Sequence, residues 1–362
     1  SDVHRATGAE IAEFESLNGN EKFLILAGMG VYSDRESNIL HRLSESGRVV
    51  VIAENIANLP EESFISNHDL LLAGLDEEGL SDLLPDVVLA FGGQVVSKRL
   101  KLMLQSALGK GALRHIDIEG DVAASLEKLA EKIQAFPGSS LSSDFQPSDF
   151  HAAWQCEQKR AADTSGRKLQ TLPHGMLDSI HRVLDAVPSG AVIHLGNSSV
   201  IRYSQMLPFR KDLKYYSNRG TSGIDGCVSS AVGAAMVSDE IHVLLVGDLS
   251  FVYDSNAMWN RNFPGNLKIV VLNDKGGGIF RLLDGPSRME FFEEYSVTHH
   301  PVSPRKLAES FGRTAGFASN EKELQEALSA LFLPDNKLDV LEVDTSGSEN
   351  SRIFKEFLDK KQ

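Results

Sequence analysis

His242-Val243-Leu244-Leu245-Val246-Gly247-Asp248-Leu249-Ser250 and, further along, Lys268-Ile269-Val270-Val271-Leu272-Asn273-Asp274-Lys275-Gly276-Gly277-Gly278 share one design. Each is a short apolar run that ends abruptly in a polar cluster with glycine. Runs of this kind suit strands buried on both faces, as in a parallel sheet flanked by helices. The two clusters then sit at the carboxyl ends of neighbouring parallel strands, where open α/β sheets bind their ligands. Asn273 follows Asp248 by 25 positions.

Asp248 together with Asn273 or Asp274 offers hard oxygen ligands, and the glycine turn lets a backbone carbonyl join them. Mg²⁺ takes such an oxygen set and completes its octahedron with phosphate oxygens and water, so the metal would anchor a diphosphate. The competing reading makes Asp248 a helix cap and the Asn-Gly cluster a plain turn. Either cluster alone favours the turn; the pair at this spacing favours a site.

Working outward, strands are predicted over 191–195 and 338–343 as well, with helices over 150–162 and 176–187. The first half repeats the alternation: strands over 23–27, 49–52, 86–91 and 113–118, and a helix over 33–45 that places Ile39, Leu40 and Leu43 on one face. The fold class is therefore α/β, with two open parallel-sheet domains. Residues 136–149 are dense in Ser, Pro and Gly, and a linker over 139–149 is expected between a domain at 1–138 and another at 150–362. Ala27-Gly28-Met29-Gly30 follows the first strand, but the dinucleotide pattern needs a glycine where Ser33 stands. A tight strand-to-helix turn is preferred there over a nucleotide site with Glu54 on the ribose.

Composition narrows the function classes. The 362 residues carry 36 Lys and Arg against 50 Asp and Glu, a net charge of −14, which speaks against nucleic-acid binding. Small anions remain possible partners, because a few local Arg, Lys and backbone N–H groups suffice to hold them. Cys156 and Cys227 make neither a disulfide framework nor a zinc site, so a reducing cytoplasm is expected. No apolar run reaches the roughly 18 to 20 residues of a membrane span.

Gly247-Asp248 followed by the Asn-containing turn resembles the cofactor motif of thiamin-diphosphate-dependent enzymes. Further blocks resemble one family among them, the 2-succinyl-5-enolpyruvyl-6-hydroxy-3-cyclohexene-1-carboxylate synthases of menaquinone biosynthesis. They are Gly196-Asn197-Ser198-Ser199-Val200-Ile201-Arg202, Ser217 through Gly226, Gly247 through Ser250 with Asp254 and Asn256, and Gly276 through Phe280. The first half matches chiefly through Ser97-Lys98-Arg99-Leu100. The resemblance covers only the central and the C-terminal, diphosphate-binding domain of a three-domain family. The domain whose Glu contacts the aminopyrimidine has no counterpart in the sequence, which lacks an initial Met, so a fragment inactive on its own is expected.

What the resemblance implies is specific. The cofactors are thiamin diphosphate and Mg²⁺ or Mn²⁺, and the substrates are 2-oxoglutarate and isochorismate. Metal ligands are Asp248, Asp274 and the carbonyl of Gly276; the family usually has Asn where Asp274 stands, which leaves Asn273 as the alternative. Gly247, Asp248, Leu249, Ser250, Ile224, Asn273 and Ile279 are expected at the cofactor, with Ile224 beneath its folded rings. Ser198, Arg202 and Arg219 are the expected catalytic and carboxylate-binding groups, since the Arg fork gives paired hydrogen bonds. Lys98, Arg99, Phe280 and Leu283 are expected at the substrate. A homodimer or higher oligomer is implied for the full-length enzyme. Two other readings stand beside this one: another thiamin-dependent enzyme acting on a 2-oxo acid, similar to acetolactate synthase, and a non-catalytic α/β binding protein. His299 and His300 receive no role, Cys227 is expected to pack as a small apolar residue, and Trp154 and Trp259 are read as helix anchors.

Overall fold

The structure is a computed structural model and describes residues 14–59, 62–135, 148–282, 290–333 and 335–359. Two compact units divide the chain, residues 1–164 and 165–362.

In the first unit, strands β1 (Phe23–Ala27), β2 (Val49–Ala53), β3 (Val87–Phe91) and β4 (Arg114–Asp117) alternate with helices α1 (Asp34–Glu45), α2 (His68–Ala73), α3 (Glu77–Asp82), α4 (Lys98–Gly109) and α5 (Val122–Ala135). The sheet is parallel throughout, in the order β2-β1-β3-β4. Ser33 starts α1 through a capping box with Glu36, and Ile39, Leu40 and Leu43 go into the core as their spacing predicts.

Order reverses between β1 and β3, where a ligand crevice would open in such a sheet. Here the loops after β1 and β3 pack closely against each other. A Cβ on Gly28 would lie 2.0 Å from the Gly93 carbonyl oxygen, Gly93 N–H donates to Met29 O, and Tyr32 Oη donates to Gly28 O. Glu54 is buried and accepts from the N–H groups of Val96 and Ser97 at 2.6 and 2.8 Å. The glycines thus serve loop packing and Glu54 holds the start of α4, as the turn reading requires.

Helix α6 (Asp149–Leu169) is longer than the predicted 150–162, and the division between units falls inside it. Its first half belongs to the first unit: Trp154 is fully buried and donates to Leu83 O, while Gln155 and Gln158 donate to Ser63 O and Phe64 O. These contacts set residues 150–164 apart from the rest of the expected 150–362 domain. Most of the expected linker, 139–147, lies outside the described residues.

The second unit contains α7 (Met176–Ala186), β5 (Val192–Leu195), α8 (Ser199–Ser204), β6 (Lys214–Ser217), α9 (Cys227–Ala235), β7 (His242–Gly247), α10 (Asp248–Tyr253), β8 (Leu267–Asn273), α11 (Phe292–Tyr295), α12 (Pro304–Ser310), β9 (Ala315–Ala318), α13 (Glu321–Leu331), β10 (Val340–Asp344) and α14 (Asn350–Leu358). Six parallel strands run in the order β6-β5-β7-β8-β10-β9. Every residue of β8 is buried, and β7 is buried up to its terminal Gly247.

The two strands absent from the sequence reading, β6 and β9, are the sheet edges. Their half-exposed residues break the apolar run on which the prediction relied. Cys227 packs in the apolar cluster with Val228 and Phe251. Trp259 is 74% exposed and anchors nothing in the core, which corrects the expectation for it.

Candidate active site

The strand order of the second unit reverses between β5 and β7. A cavity of about 340 Å³ opens there, at the carboxyl ends of β5, β7 and β8. Its lining comes from four of the quoted blocks: Asn197 to Val200, Ser222 to Ile224, Gly247 to Ser250, and Asp274 with Gly276 to Phe280. Four segments far apart in the chain meet because each follows a buried parallel strand or joins two of them.

Asp248 closes β7 and opens α10, 2% exposed. One carboxylate oxygen accepts from Leu249 N–H at 2.7 Å; the other accepts from Gly276 N–H and from His300 Nε2, each at 3.0 Å. Burial raises its pKa, and the N–H groups and His300 oppose that rise. Asp274 also lines the cavity, and its pKa is raised first by burial and then by the charge of Asp248. Two carboxylates, Asp248 buried and Asp274 half-buried, disfavour each other's ionisation, and a cation between them would relieve the repulsion. No group of three or more His, Cys, Asp or Glu suited to a metal occurs among the described residues. A hard cation here would rest on the two carboxylates and a backbone carbonyl, with its remaining positions open to phosphate oxygens and water.

Asn273 is oriented elsewhere. It is 1% exposed; its amide nitrogen donates to Glu342 at 2.7 Å and its oxygen accepts from Lys275 N–H at 3.0 Å. Asp274, not Asn273, lines the cavity.

A framework behind the wall fixes the loop over 218–226. Asn197 Nδ2 donates to the carbonyls of Asn218 and Gly223 at 2.6 and 2.7 Å, and Asn197 Oδ1 accepts from Arg219 at 3.0 Å. Ser250 Oγ donates to Ile224 O, and Asp254 accepts from Ser229 N–H at 2.6 Å. These ties carry the Ile224 side chain into the cavity wall. Ser198, also in the wall, has φ +74, a left-handed conformation unusual for Ser and of a kind that clusters at functional sites. It occupies the N-cap position of α8 without a capping hydrogen bond, so the helix-cap alternative for its hydroxyl is not realised.

Arg202 and Arg219 do not line the cavity but touch residues that do. Arg202 donates to Ser198 O at 2.6 Å, and Arg219, 5% exposed, reaches Asn197. Ile279 and Phe280 form one wall, while Leu283 lies outside the described residues. Lys98 and Arg99 open α4 in the first unit, behind the N-cap of Ser97. Reading the sequence missed Asn197, Glu342 and His300 as contributors. Asn197 stood inside a quoted block, but nothing local marks His300, which reaches Asp248 from 52 positions away.

Comparison with known proteins agrees with this geometry. Residues 195–343 match the family described as thiamine pyrophosphate enzyme, C-terminal TPP binding domain. Relatives named 2-succinyl-5-enolpyruvyl-6-hydroxy-3-cyclohexene-1-carboxylate synthase extend the likeness through most of the chain. That of Desulfotalea psychrophila is 38% identical over 301 residues, 81% of this chain and 54% of the relative. Those of Christiangramia forsetii and Flavobacterium johnsoniae are 33% and 30% identical, each across 94% of this chain and across 60% and 62% of their own length. The chain thus spans little more than half the length of these relatives. Residues 195–343 are thus similar to the C-terminal TPP binding domain of thiamine pyrophosphate enzymes, in a chain similar along most of its length to proteins named 2-succinyl-5-enolpyruvyl-6-hydroxy-3-cyclohexene-1-carboxylate synthase.

Proposed function

We propose that the chain supplies the diphosphate half of a thiamin-diphosphate-dependent synthase that joins the succinyl unit of 2-oxoglutarate to isochorismate, in menaquinone biosynthesis. The observation that carries this is the facing pair Asp248 and Asp274 at the ends of adjacent strands, in a cavity rimmed by Gly276 to Gly278. Asp248, Asp274 and the Gly276 carbonyl would hold Mg²⁺ or Mn²⁺, and the metal with the Gly247 to Ser250 turn would hold the diphosphate. Bound thiamin diphosphate supplies the carbanion chemistry of decarboxylation and carboligation. The chain's own residues bind and orient. Ile224, Leu249 and Ile279 offer apolar surface to the cofactor rings, and Phe280 offers it to the substrate. Ser198 presents a hydroxyl at the cavity, and Arg202 and Arg219 supply positive charge for substrate carboxylates. Lys98, Arg99 and Leu283 belong to the isochorismate side in this reading. Association of the enzyme as a homodimer or larger homo-oligomer and a cytoplasmic location complete it; no described helix is long and apolar enough to cross a membrane.

The test has two arms. Mn²⁺ uptake by the 362-residue chain should depend on thiamin diphosphate and be lost in Asp248→Asn. Enzyme made from the complete coding sequence should consume isochorismate only when 2-oxoglutarate is present. Preference for pyruvate would favour an acetolactate-synthase-like activity, and full activity in Asp248→Asn would favour a non-catalytic role for the motif.

A further inference from the structure

Glu342, on β10, is a buried carboxylate one strand away from the cavity, 3% exposed. Three donors converge on it: Asn273 Nδ2 at 2.7 Å, Ser303 Oγ at 2.7 Å and Arg305 N–H at 2.8 Å. The last two belong to the start of α12, whose N-terminal N–H groups favour a negative charge. The first has a longer reach.

Glu342 accepts from Asn273 Nδ2, so the Asn273 amide turns its NH₂ toward Glu342. Its carbonyl oxygen then faces the following turn, where Lys275 N–H donates to it at 3.0 Å. That bond holds a turn in which Lys275 has φ +58, a left-handed conformation unfavourable for Lys. The same turn delivers Gly276 N–H to Asp248 at 3.0 Å and Asp274 into the cavity. Strand pairing adds a second hold, since Thr345 N–H donates to Asn273 O at 2.9 Å. The backbone is pinned by the sheet, while the direction of the Asn273 amide is set at its two ends, by Glu342 at the nitrogen and by Lys275 N–H at the oxygen.

We infer that Glu342 is a positioning residue for the Asp274–Gly276 turn, acting through the Asn273 amide; its consequence for metal binding rests on the thiamin-diphosphate reading above. Glu342→Gln is nearly isosteric but offers one acceptor oxygen to donors on two sides. Its NH₂ either opposes Arg305 N–H or forces the Asn273 amide to flip, which puts NH₂ against Lys275 N–H. Glu342→Leu removes the acceptor altogether. Ser303→Ala removes a donor on the α12 side only and serves as the comparison.

The experiment reads amide hydrogen exchange residue by residue in the 362-residue chain without metal, together with Mn²⁺ affinity in the presence of thiamin diphosphate. In Glu342→Leu, and in Glu342→Gln if the amide flips, exchange at Lys275 and Gly276 should rise about tenfold, the worth of one hydrogen bond. Mn²⁺ affinity should fall in parallel, while exchange at Val271 stays at the wild-type level and Ser303→Ala leaves the turn unchanged. Unchanged exchange at Lys275 and Gly276 in Glu342→Leu overturns the inference. So does an equal rise at Val271 or in Ser303→Ala, since that marks a general loss of stability. If the wild-type chain takes up no Mn²⁺ with thiamin diphosphate, the functional reading fails, and the exchange data still decide whether Glu342 holds the turn.

Discussion

Gly277 and Gly278 are adjacent, yet a methyl group at the two positions should have opposite consequences. A Cβ on Gly278 would lie 2.2 Å from Asp274 Oδ2, whereas on Gly277 its nearest neighbour is the Phe280 ring at 3.4 Å, an ordinary contact. The clash in Gly278→Ala falls on the far end of a side chain, so Asp274 relieves it by swinging its carboxylate about 1 Å away and the fold survives. Mg²⁺ and Mn²⁺ tolerate such a shift poorly, because an octahedral site demands oxygens at about 2.0 to 2.2 Å. Disturbing the placement of one ligand weakens metal binding on the order of 10- to 100-fold. The assay is titration of Mn²⁺ in the presence of thiamin diphosphate, with free Mn²⁺ read by its paramagnetic resonance, for wild type, Gly277→Ala and Gly278→Ala. All three should unfold at nearly the same temperature, and only Gly278→Ala should bind weakly. Wild-type Mn²⁺ affinity in Gly278→Ala, or equal losses in the two variants, would refute the placement of Asp274 at the metal.

Other expectations follow from neighbouring parts of the unit. Asn197→Ala leaves the carbonyls of Asn218 and Gly223 without their donor; exchange across residues 218–226 should rise and cofactor affinity fall, while the first unit keeps its exchange pattern. Arg219→Lys keeps the charge but loses the planar fork, so under the proposed function the KM for the carboxylate substrate should rise more than kcat falls; a pure kcat loss would place Arg219 elsewhere. His194 is buried against His242, with Nε2 and Nδ1 2.8 Å apart, and burial followed by the charge of His242 lowers its pKa to about 4. Unfolded His titrates near 6.5 (about), so the unfolded chain binds the extra proton between these values. Stability should therefore be full above about pH 6.5 and fall toward pH 4, by at most about 3 kcal/mol from this group. His194→Phe should flatten that part of the profile in urea denaturation; an unchanged slope would show that other groups govern it.

Much of this was legible in the sequence because buried parallel strands announce themselves. β7 matches the strand predicted over 242–247 and β8 extends the one predicted over 268–272 by one residue at each end, since both are central strands buried along their length. β6 and β9 were not legible for the complementary reason: edge strands are half solvated and carry mixed residues. The candidate site divides in the same way. Asp248, Asp274 and Gly276 stand close to strand ends that the pattern fixes. His300, Asn197 and Glu342 contribute through partners 52, 21 to 26 and 69 positions away.

The sequence by itself determined the α/β class, the central strands and the two polar clusters at their carboxyl ends, because local apolar runs and glycine turns encode these directly. It left open whether Asn273 or Asp274 faces the cavity, since two adjacent polar residues at a strand end look alike in one dimension. Only the tertiary structure decided their directions. Glu342 on the next strand draws the Asn273 amide into the core, and the turn that this sets leaves Asp274 in the cavity wall beside Asp248. The same holds for the glycines of the first unit: Gly28 meets Gly93 only once β1 and β3 are paired, and that close approach requires the absence of a side chain at Gly28.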